Sequence, residues 1–180
     1  MRLCEALDMA NDTLGMLSSR MSLVAPPMGT TLLATLISAH ALQWISVGDS
    51  PLFLFRDDTL RRLNADHSLT PLLEERVKKG DLTAEQAAHH PDRHTLQSAL
   101  LGLPIALIDC PPEPMPLNSG DLIISASDGI FTLTDHTLAE LLTFGRHTTA
   151  GKIADAILFA IRRINHDRQD NATIGVVKIP

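Results

Sequence analysis

Three aspartates, Asp49, Asp128 and Asp170, have neighbours that would let them do chemistry together. They occur as Gly-Asp-Ser, Ser-Asp-Gly and Asp-Asn, contexts that favour the boundary between a strand and a turn. Carboxylates gathered in one place repel each other unless a cation lies among them, and hard oxygen ligands select Mg²⁺ or Mn²⁺ over zinc. No lysine lies at these turns. The pattern predicts a divalent metal site, with separate, solvated turn aspartates as the alternative.

A strand has to deliver Asp128 to such a site. The apolar run Leu122-Ile123-Ile124 indicates that strand, and Gly129 lets the chain turn away directly after the carboxylate. Glycine does this because it adopts backbone conformations that other residues avoid. An ordinary Asp-Gly turn without chemistry is the alternative interpretation. The strand interpretation places Asp128 at the edge of a sheet.

The other strands are predicted where apolar and β-branched residues lie between turn formers. Short connections between them make neighbouring strands antiparallel, and Asp57-Asp58 is predicted to form a tight turn. These strands cover about residues 31–38, 41–47, 51–56, 59–63, 100–108 and 173–179.

Helices are predicted where apolar residues recur every three or four positions. One opens the chain, and two lie between Asp128 and Asp170. Asp135 is predicted to cap the first of those two. A charged, helical segment over 69–97 is interpreted as a mobile flap, in which Thr83 and Gln86 have the spacing of a capping box.

Composition limits the possible functions. The chain has 180 residues, of which 44% are hydrophobic, so we predict a single domain over residues 1–180. A formal charge of -6 and only six aromatic residues argue against binding to nucleic acid or to an anionic membrane. Cys4 and Cys110 lie far apart without metal-type spacing, which predicts buried, reduced thiols. With no secretory pattern at the N-terminus, we expect a cytoplasmic protein.

Five short motifs follow one another in a recognisable order. They are Gly29-Thr-Thr31, Val47-Gly-Asp-Ser50, Asp66-His-Ser68, Gly120-Asp-Leu-Ile-Ile-Ser-Ala-Ser-Asp-Gly129 and Asp170-Asn-Ala-Thr173. In this order they resemble the metal-dependent protein serine/threonine phosphatases of the 2C type (PPM family). Residues 80–93, followed by Leu100-Leu-Gly102, look like the flap of the bacterial members and the stretch after it. The resemblance covers about residues 9–178.

The resemblance implies an α+β fold of two antiparallel sheets packed as a sandwich with helices outside. It implies two or three Mg²⁺ or Mn²⁺ ions at one rim, with Asp128 and Asp170 as ligands and Asp49 holding a further, weaker ion. The backbone around Gly129, Asn171 and Gly48 would support these ligands, and no other catalytic residue is implied. The implied reaction is hydrolysis of phosphoserine or phosphothreonine in a phosphoprotein by metal-activated water.

The sequence also departs from the family. It has no counterpart of the family's Asp-Gly-x-Gly-Gly motif, whose aspartate bridges two central metals, and Pro51 replaces a usual arginine. We therefore expect weakened metal binding, impaired activity, and an uncovered sheet edge that pairs with a second copy or a partner domain. A non-catalytic partner-binding module of the same fold is the alternative function. A start inside a longer coding sequence is a third reading.

Overall fold

The computed structural model describes residues 2–21, 28–38, 40–164 and 169–180. Its helices are α1 (Arg2–Met21), α2 (Thr70–Lys78), α3 (Ala84–Ala88), α4 (Asp135–Gly145) and α5 (Ala150–Ile164), with a 3₁₀ helix over Asp128–Thr132. Its strands are β1 (Leu32–Ser38), β2 (Ala41–Val47), β3 (Leu52–Arg56), β4 (Thr59–Arg62), β5 (Met115–Pro116), β6 (Leu122–Ala126) and β7 (Ile174–Lys178). Within the described ranges, none of the helices is long and apolar enough to cross a bilayer.

The strands form two sheets. One has the order β1-β2-β5, and the other has the order β4-β3-β6-β7. β2 is antiparallel to β5, β3 is antiparallel to both β4 and β6, and β6 is antiparallel to β7. These sheets and the helices confirm the predicted α+β class with two antiparallel sheets.

The chain crosses repeatedly between two compact units. The first unit contains Met1–Thr35, Trp44–Asp49 and Ala65–Pro112. The second unit contains Leu36–Gln43, Ser50–Asn64 and Glu113–Pro180. Each unit has an apolar cluster of its own, so each is described separately.

The core of the second unit is organised by one face of α5. Ile153, Ile157 and Ile161 recur every four residues and are at most 1% exposed. They belong to the same cluster as Leu122 and Ile124, which lie two positions apart in β6 and therefore on one face of the sheet. Full burial of such a side chain contributes about 1.5–3 kcal/mol. This packing fixes the strand that leads to Asp128.

A buried ion pair anchors the start of β6. Asp121 is 2% exposed and accepts hydrogen bonds from Arg56 Nε at 2.8 Å, from Arg56 Nη2 at 2.6 Å and from the Asn118 N–H at 2.8 Å. Burial alone would raise the pKa of Asp121, but these hydrogen bonds and the charge of Arg56 outweigh burial and hold the pKa below its ordinary value. The carboxylate therefore stays ionised and ties the residue before β6 to the end of β3.

In the first unit, α1 packs on β2 through an apolar face. Leu7 is 2% exposed and lies in one cluster with Ile45, Val47 and Leu100, each of them at most 2% exposed. Ile45 and Val47 are two positions apart in β2, so they present the same side of the strand to the helix. The N-terminal helix thus has the amphipathic packing that its spacing predicts.

Polar and backbone contacts fix the position of α1 further. Asn11 Nδ2 donates to Leu103 O at 2.8 Å, and Asn11 Oδ1 accepts from the Gly102 N–H at 2.9 Å. A Cβ atom on Gly15 would lie 2.9 Å from Gly102 Cα, closer than such atoms approach. The helix therefore touches the loop at Gly102 so closely that neither glycine leaves room for a side chain.

The segment over residues 69–97 lies between β4 and β5 and contains α2 and α3. Its base is closed by hydrogen bonds from Leu69 N–H to Thr95 O at 3.0 Å and from Gln97 N–H to His67 O at 2.8 Å. Within it, Thr83 and Gln86 form the predicted capping box of α3. That this segment is a mobile flap stays a prediction.

The predicted hairpin turn between β3 and β4 is present. Asp57 and Asp58 have φ angles of 50° and 57°, in the left-handed region. Two consecutive residues of this kind are typical of a type I′ turn, and aspartate tolerates the conformation better than most residues.

Two local predictions were wrong. Residues 100–108 form no strand and pair only at Leu100, through an isolated bridge with Thr30. They form a loop instead, because the Ser98 hydroxyl donates to Leu107 O and accepts from the Leu107 N–H. Asp135 does not cap α4, since Thr134 occupies the cap position and its hydroxyl accepts from the Thr137 N–H at 3.1 Å.

Candidate metal centre

Asp128 follows β6 directly and opens the 3₁₀ helix. β6 ends at Ala126, Ser127 has an extended backbone, and the helix begins at Asp128. The Asp128 side chain is exposed, whereas Gly129 and Ile130 after it are buried. Because the strand before Asp128 and the buried residues after it hold the backbone, Asp128 has a fixed position at the sheet edge. The interpretation as an ordinary Asp-Gly turn does not describe this arrangement.

Ser127 joins the end of β6 to the segment that leads into β7. Its N–H donates to Thr173 O at 3.0 Å and its hydroxyl donates to Asn171 O at 3.1 Å. The same hydroxyl accepts from the Thr173 N–H at 3.0 Å. We call these contacts the Ser127 junction. Asp128 and Asp170 flank it, one on each chain segment, so the structure brings these two predicted ligands to one edge of the second unit's sheet.

Gly129 is required at this junction for a different reason from the one predicted. Its φ angle is not positive, so the expectation of an unusual backbone conformation was wrong. A Cβ atom at Gly129 would instead lie 2.6 Å from Asn171 O and 3.0 Å from Ala172 Cα. Glycine is needed because the segment after Asp170 passes directly against the first turn of the 3₁₀ helix.

Asp128 and Asp170 carry oxygen donors of the kind that a divalent cation binds. Asp128 and Asp170 are both exposed, and Asp170 Oδ1 accepts a hydrogen bond from the neighbouring Asn171 N–H at 2.7 Å. Over the described part of the chain, no lysine or arginine forms an ion pair with either carboxylate. Hard oxygen ligands without a cationic side chain suit Mg²⁺ or Mn²⁺. Among the described residues, no three His, Cys, Asp or Glu side chains are grouped closely enough to hold an ion.

Asp49 lies in the first unit, in the turn after β2. Gly48 before it has φ +104°, and a Cβ atom there would lie 2.7 Å from Thr31 Cβ. Gly48 N–H donates to His67 Nδ1 at 3.2 Å, and Gly48 O accepts from the His67 N–H at 3.2 Å. His67, 5% exposed, thus fixes this turn by hydrogen bonding. A metal-binding role for Asp49 stays a prediction.

Ser127 is the site residue that the sequence pattern does not reveal. Its partners Asn171 and Thr173 are 44 and 46 residues away, so no local spacing connects them. The run of small residues Ser125-Ala-Ser127 is the only signal, since small side chains point to close packing of backbones.

Known proteins resemble this chain in sequence and in structure. No profile of a known protein family matches the chain. The serine/threonine phosphatase Stp of Listeria welshimeri is 28% identical over 151 residues, which are 84% of this chain and 57% of that protein. The solved serine/threonine phosphatase of S. agalactiae superposes with a TM-score of 0.77 and 26% identity, covering 99% of this chain and 72% of that chain.

In sequence and in fold, the chain resembles the bacterial metal-dependent protein phosphatases of the 2C type (PPM family). This confirms the resemblance drawn from the five motifs. A second solved structure, the catalytic domain of the serine/threonine protein phosphatase PstP in complex with two manganese ions, superposes with a TM-score of 0.71 and 26% identity. The match covers 97% of this chain and 70% of that chain. The chain spans a little over half, 57%, of the length of the curated 2C-type relative named above.

Proposed function

We propose that this chain hydrolyses phosphoserine and phosphothreonine esters as a metal-dependent 2C-type phosphatase. The observation that supports the proposal is the Ser127 junction, at which Asp128 and Asp170 stand at the ends of neighbouring strands. The relatives are serine/threonine phosphatases, and one of them holds two manganese ions.

Asp128 and Asp170 are the residues that would hold the cation. When bound, Mg²⁺ or Mn²⁺ supplies a water of lowered pKa and offsets negative charge on the phosphoryl group. Asp128 is held by the buried start of the 3₁₀ helix, and Asp170 by the segment that Ser127 clasps. Because both carboxylates are exposed, a phosphorylated side chain of another protein can reach them.

The finer features of the proposal follow the family. Asp49 would hold a further, weaker ion, with Gly48 fixing its turn, while Gly129 and Asn171 shape the backbone around the other two ligands. The substrate would be a phosphoprotein, acted on by one domain over residues 1–180. We propose a cytoplasmic location, in keeping with two free thiols and a reducing compartment.

The test is hydrolysis of p-nitrophenyl phosphate with and without Mn²⁺. We expect slow, Mn²⁺-dependent turnover that Asp128→Ala lowers by about 100-fold or more. Substituting a residue that merely supports a metal ligand already lowers metal affinity or activity by about 10–100-fold. Asp155→Ala, at an exposed position on α5, is the matched control and should retain wild-type turnover.

The same assay distinguishes the proposed phosphatase from the alternative function, a non-catalytic partner-binding module of the same fold. A folded wild-type protein without metal-dependent turnover supports the module. Turnover that survives Asp128→Ala contradicts the proposed site.

We also propose that a second copy of the chain pairs along the free edge of β1. β1 is the end strand of its sheet, and Leu36 on it is 52% exposed. An unpaired edge offers a row of backbone donors and acceptors to another chain. Light scattering should show a dimer that Leu36→Lys converts to monomer, whereas Leu72→Lys, at a leucine of α2 that is 45% exposed, should leave the dimer intact. A monomeric wild type contradicts the pairing.

A further inference from the structure

Two cysteines that lie 106 positions apart in sequence meet in the first unit. The sulfur atoms of Cys4 and Cys110 are 3.7 Å apart, within hydrogen-bond contact. Cys4 is exposed and Cys110 is half-buried, so the prediction of two separate, buried thiols was wrong. Sequence spacing could not show this, because the meeting depends on where α1 docks.

Both cysteines belong to segments that are held in place by other contacts. Cys4 lies one turn before Leu7, whose side chain is in the core of the first unit. Cys110 follows Asp109, which pairs with Ser46 of β2 through hydrogen bonds of 2.8 Å and 3.0 Å in both directions. The contact between the two sulfur atoms is therefore set by the packing of α1 and by the β2 bridge.

The Asp109 side chain also anchors the segment that contains Cys110. Its Oδ2 atom accepts from Trp44 Nε1 at 3.0 Å and from the Ala65 N–H at 2.8 Å. Cys110 itself packs against the apolar cluster that contains Leu7. A thiol held in this way has little freedom to leave its partner.

The two thiols are not equivalent. Burial raises the pKa of the Cys110 thiol, and its hydrogen bond with Cys4 acts in the same direction. Cys4, on the exposed side, is the thiol that a dissolved oxidant reaches first.

We propose that Cys4 and Cys110 are a thiol modification site, which forms a reversible intramolecular disulfide by exchange with a low-molecular-weight disulfide such as glutathione disulfide. The Cys4 thiolate attacks one sulfur of glutathione disulfide, forms a mixed disulfide and releases one glutathione thiolate. The Cys110 thiolate then attacks the Cys4 sulfur, forms the Cys4–Cys110 bond and releases the second glutathione. The two protein thiols are oxidised, one glutathione disulfide is reduced to two thiols, and the two protons go to the released glutathione.

The bond would tie α1 covalently to the loop after the flap. It would close a loop of more than one hundred residues, which restricts the unfolded chain far more than the folded one. Oxidation should therefore raise the thermal midpoint of unfolding by about 5–10 °C, and a thiol reductant should reverse the shift.

The experiment treats the full chain with glutathione disulfide under native conditions and measures intact mass and titratable thiols. We expect the mass to fall by two hydrogens, with no glutathione attached, and the thiol count after unfolding to fall from two to none. The electrophoretic mobility without reductant should remain that of one chain. None of these readouts requires phosphatase activity, so they test the disulfide independently of the proposed function.

Single substitutions provide the matched controls. Cys110→Ser should stop at the mixed disulfide and carry one glutathione on Cys4, with no rise in thermal midpoint. Wild-type protein treated in strong denaturant should also retain glutathione adducts, because the fold no longer brings the thiols together. A native wild type that carries stable glutathione, links to a second chain, or keeps both thiols overturns the proposal.

Discussion

Gly48 beside Asp49 and Gly129 beside Asp128 are both required, but not for the same physical reasons. Gly48 has a left-handed backbone that other residues adopt only at a cost, and a Cβ atom there would also lie 2.7 Å from Thr31 Cβ. Gly129 has an ordinary backbone and is confined only by close neighbours, with Asn171 O 2.6 Å from the position of a Cβ atom. The Ser-Asp-Gly and Gly-Asp-Ser patterns identify both positions as special. They do not distinguish conformation from close approach, because the neighbour of Gly129 lies more than forty residues away in the chain.

Gly129→Ala should therefore act as an overpacking substitution. The added methyl group has to push Asn171 and Ala172 away from the 3₁₀ helix, so we expect the free energy of unfolding to fall by about 1–3 kcal/mol. Gly151→Ala on α5 is the control: a Cβ there meets no atom within 4 Å, and alanine should raise stability by about 0.5–1 kcal/mol. Urea unfolding measures both. Equal effects of the two variants would show that Gly129 is not confined by Asn171 and Ala172.

Asp121 gives a prediction with a defined pH dependence. Asp121→Asn leaves the Arg56 guanidinium without its carboxylate, and we expect a loss of about 3 kcal/mol at pH 7. Asp58→Asn removes an exposed ion pair with Arg146 and should cost less than about 1 kcal/mol.

The sign of the pH effect follows from the lowered pKa of Asp121. A carboxyl group whose pKa is lowered by folding stabilises the protein above its unfolded pKa of about 3.9, and loses that contribution as the pH falls through the folded pKa. The stability difference between wild type and Asp121→Asn should be constant from pH 7 to about pH 4 and shrink below it. A difference that grows on acidification would contradict the ion-pair account. Urea unfolding at several pH values tests this.

At the scale of elements, α1 depends on contacts that its amphipathic spacing only partly predicts. The leucine stripe predicts the helix and its buried face, and Leu7 confirms this. The spacing gives no indication of the Gly15–Gly102 contact or of the Asn11 hydrogen bonds, because each joins residues about ninety positions apart. Residues 100–108 were predicted as a strand from their apolar composition, but only Leu100 and Ile105 of this stretch pack with the cluster that contains Leu7.

Gly102→Ala tests this docking against a matched glycine. Gly102 has φ +72° and Gly80 has φ +81°, so substitution by alanine should introduce a similar backbone strain of about 1–2 kcal/mol at either position. Only at Gly102 does the methyl group also meet the backbone of Gly15, which adds about 1–3 kcal/mol. Gly80 has open space around it. Chemical denaturation should show the larger loss for Gly102→Ala; equal losses would mean that α1 does not press on this loop.

At the scale of the whole molecule, order along the chain carried more information than any one motif. Asp-Gly alone predicts a turn, but five motifs in order predicted the family, which the relatives confirm. Strand order in the β4-β3-β6-β7 sheet is what brings Asp128 and Asp170 together, since β6 and β7 are neighbours although 48 residues separate their facing ends, Ala126 and Ile174. Local patterns cannot supply such a pairing; family resemblance can.

The central claim is that Asp128 and Asp170 hold a divalent cation at this edge, and Mn²⁺ titration by calorimetry tests it most directly. We predict that the folded protein binds Mn²⁺, that Asp128→Asn and Asp170→Asn each weaken binding by about 10–100-fold or more, and that Asp155→Asn leaves it unchanged. A folded wild type that binds no Mn²⁺ at millimolar concentration, or binds it equally well without both carboxylates, would contradict the account.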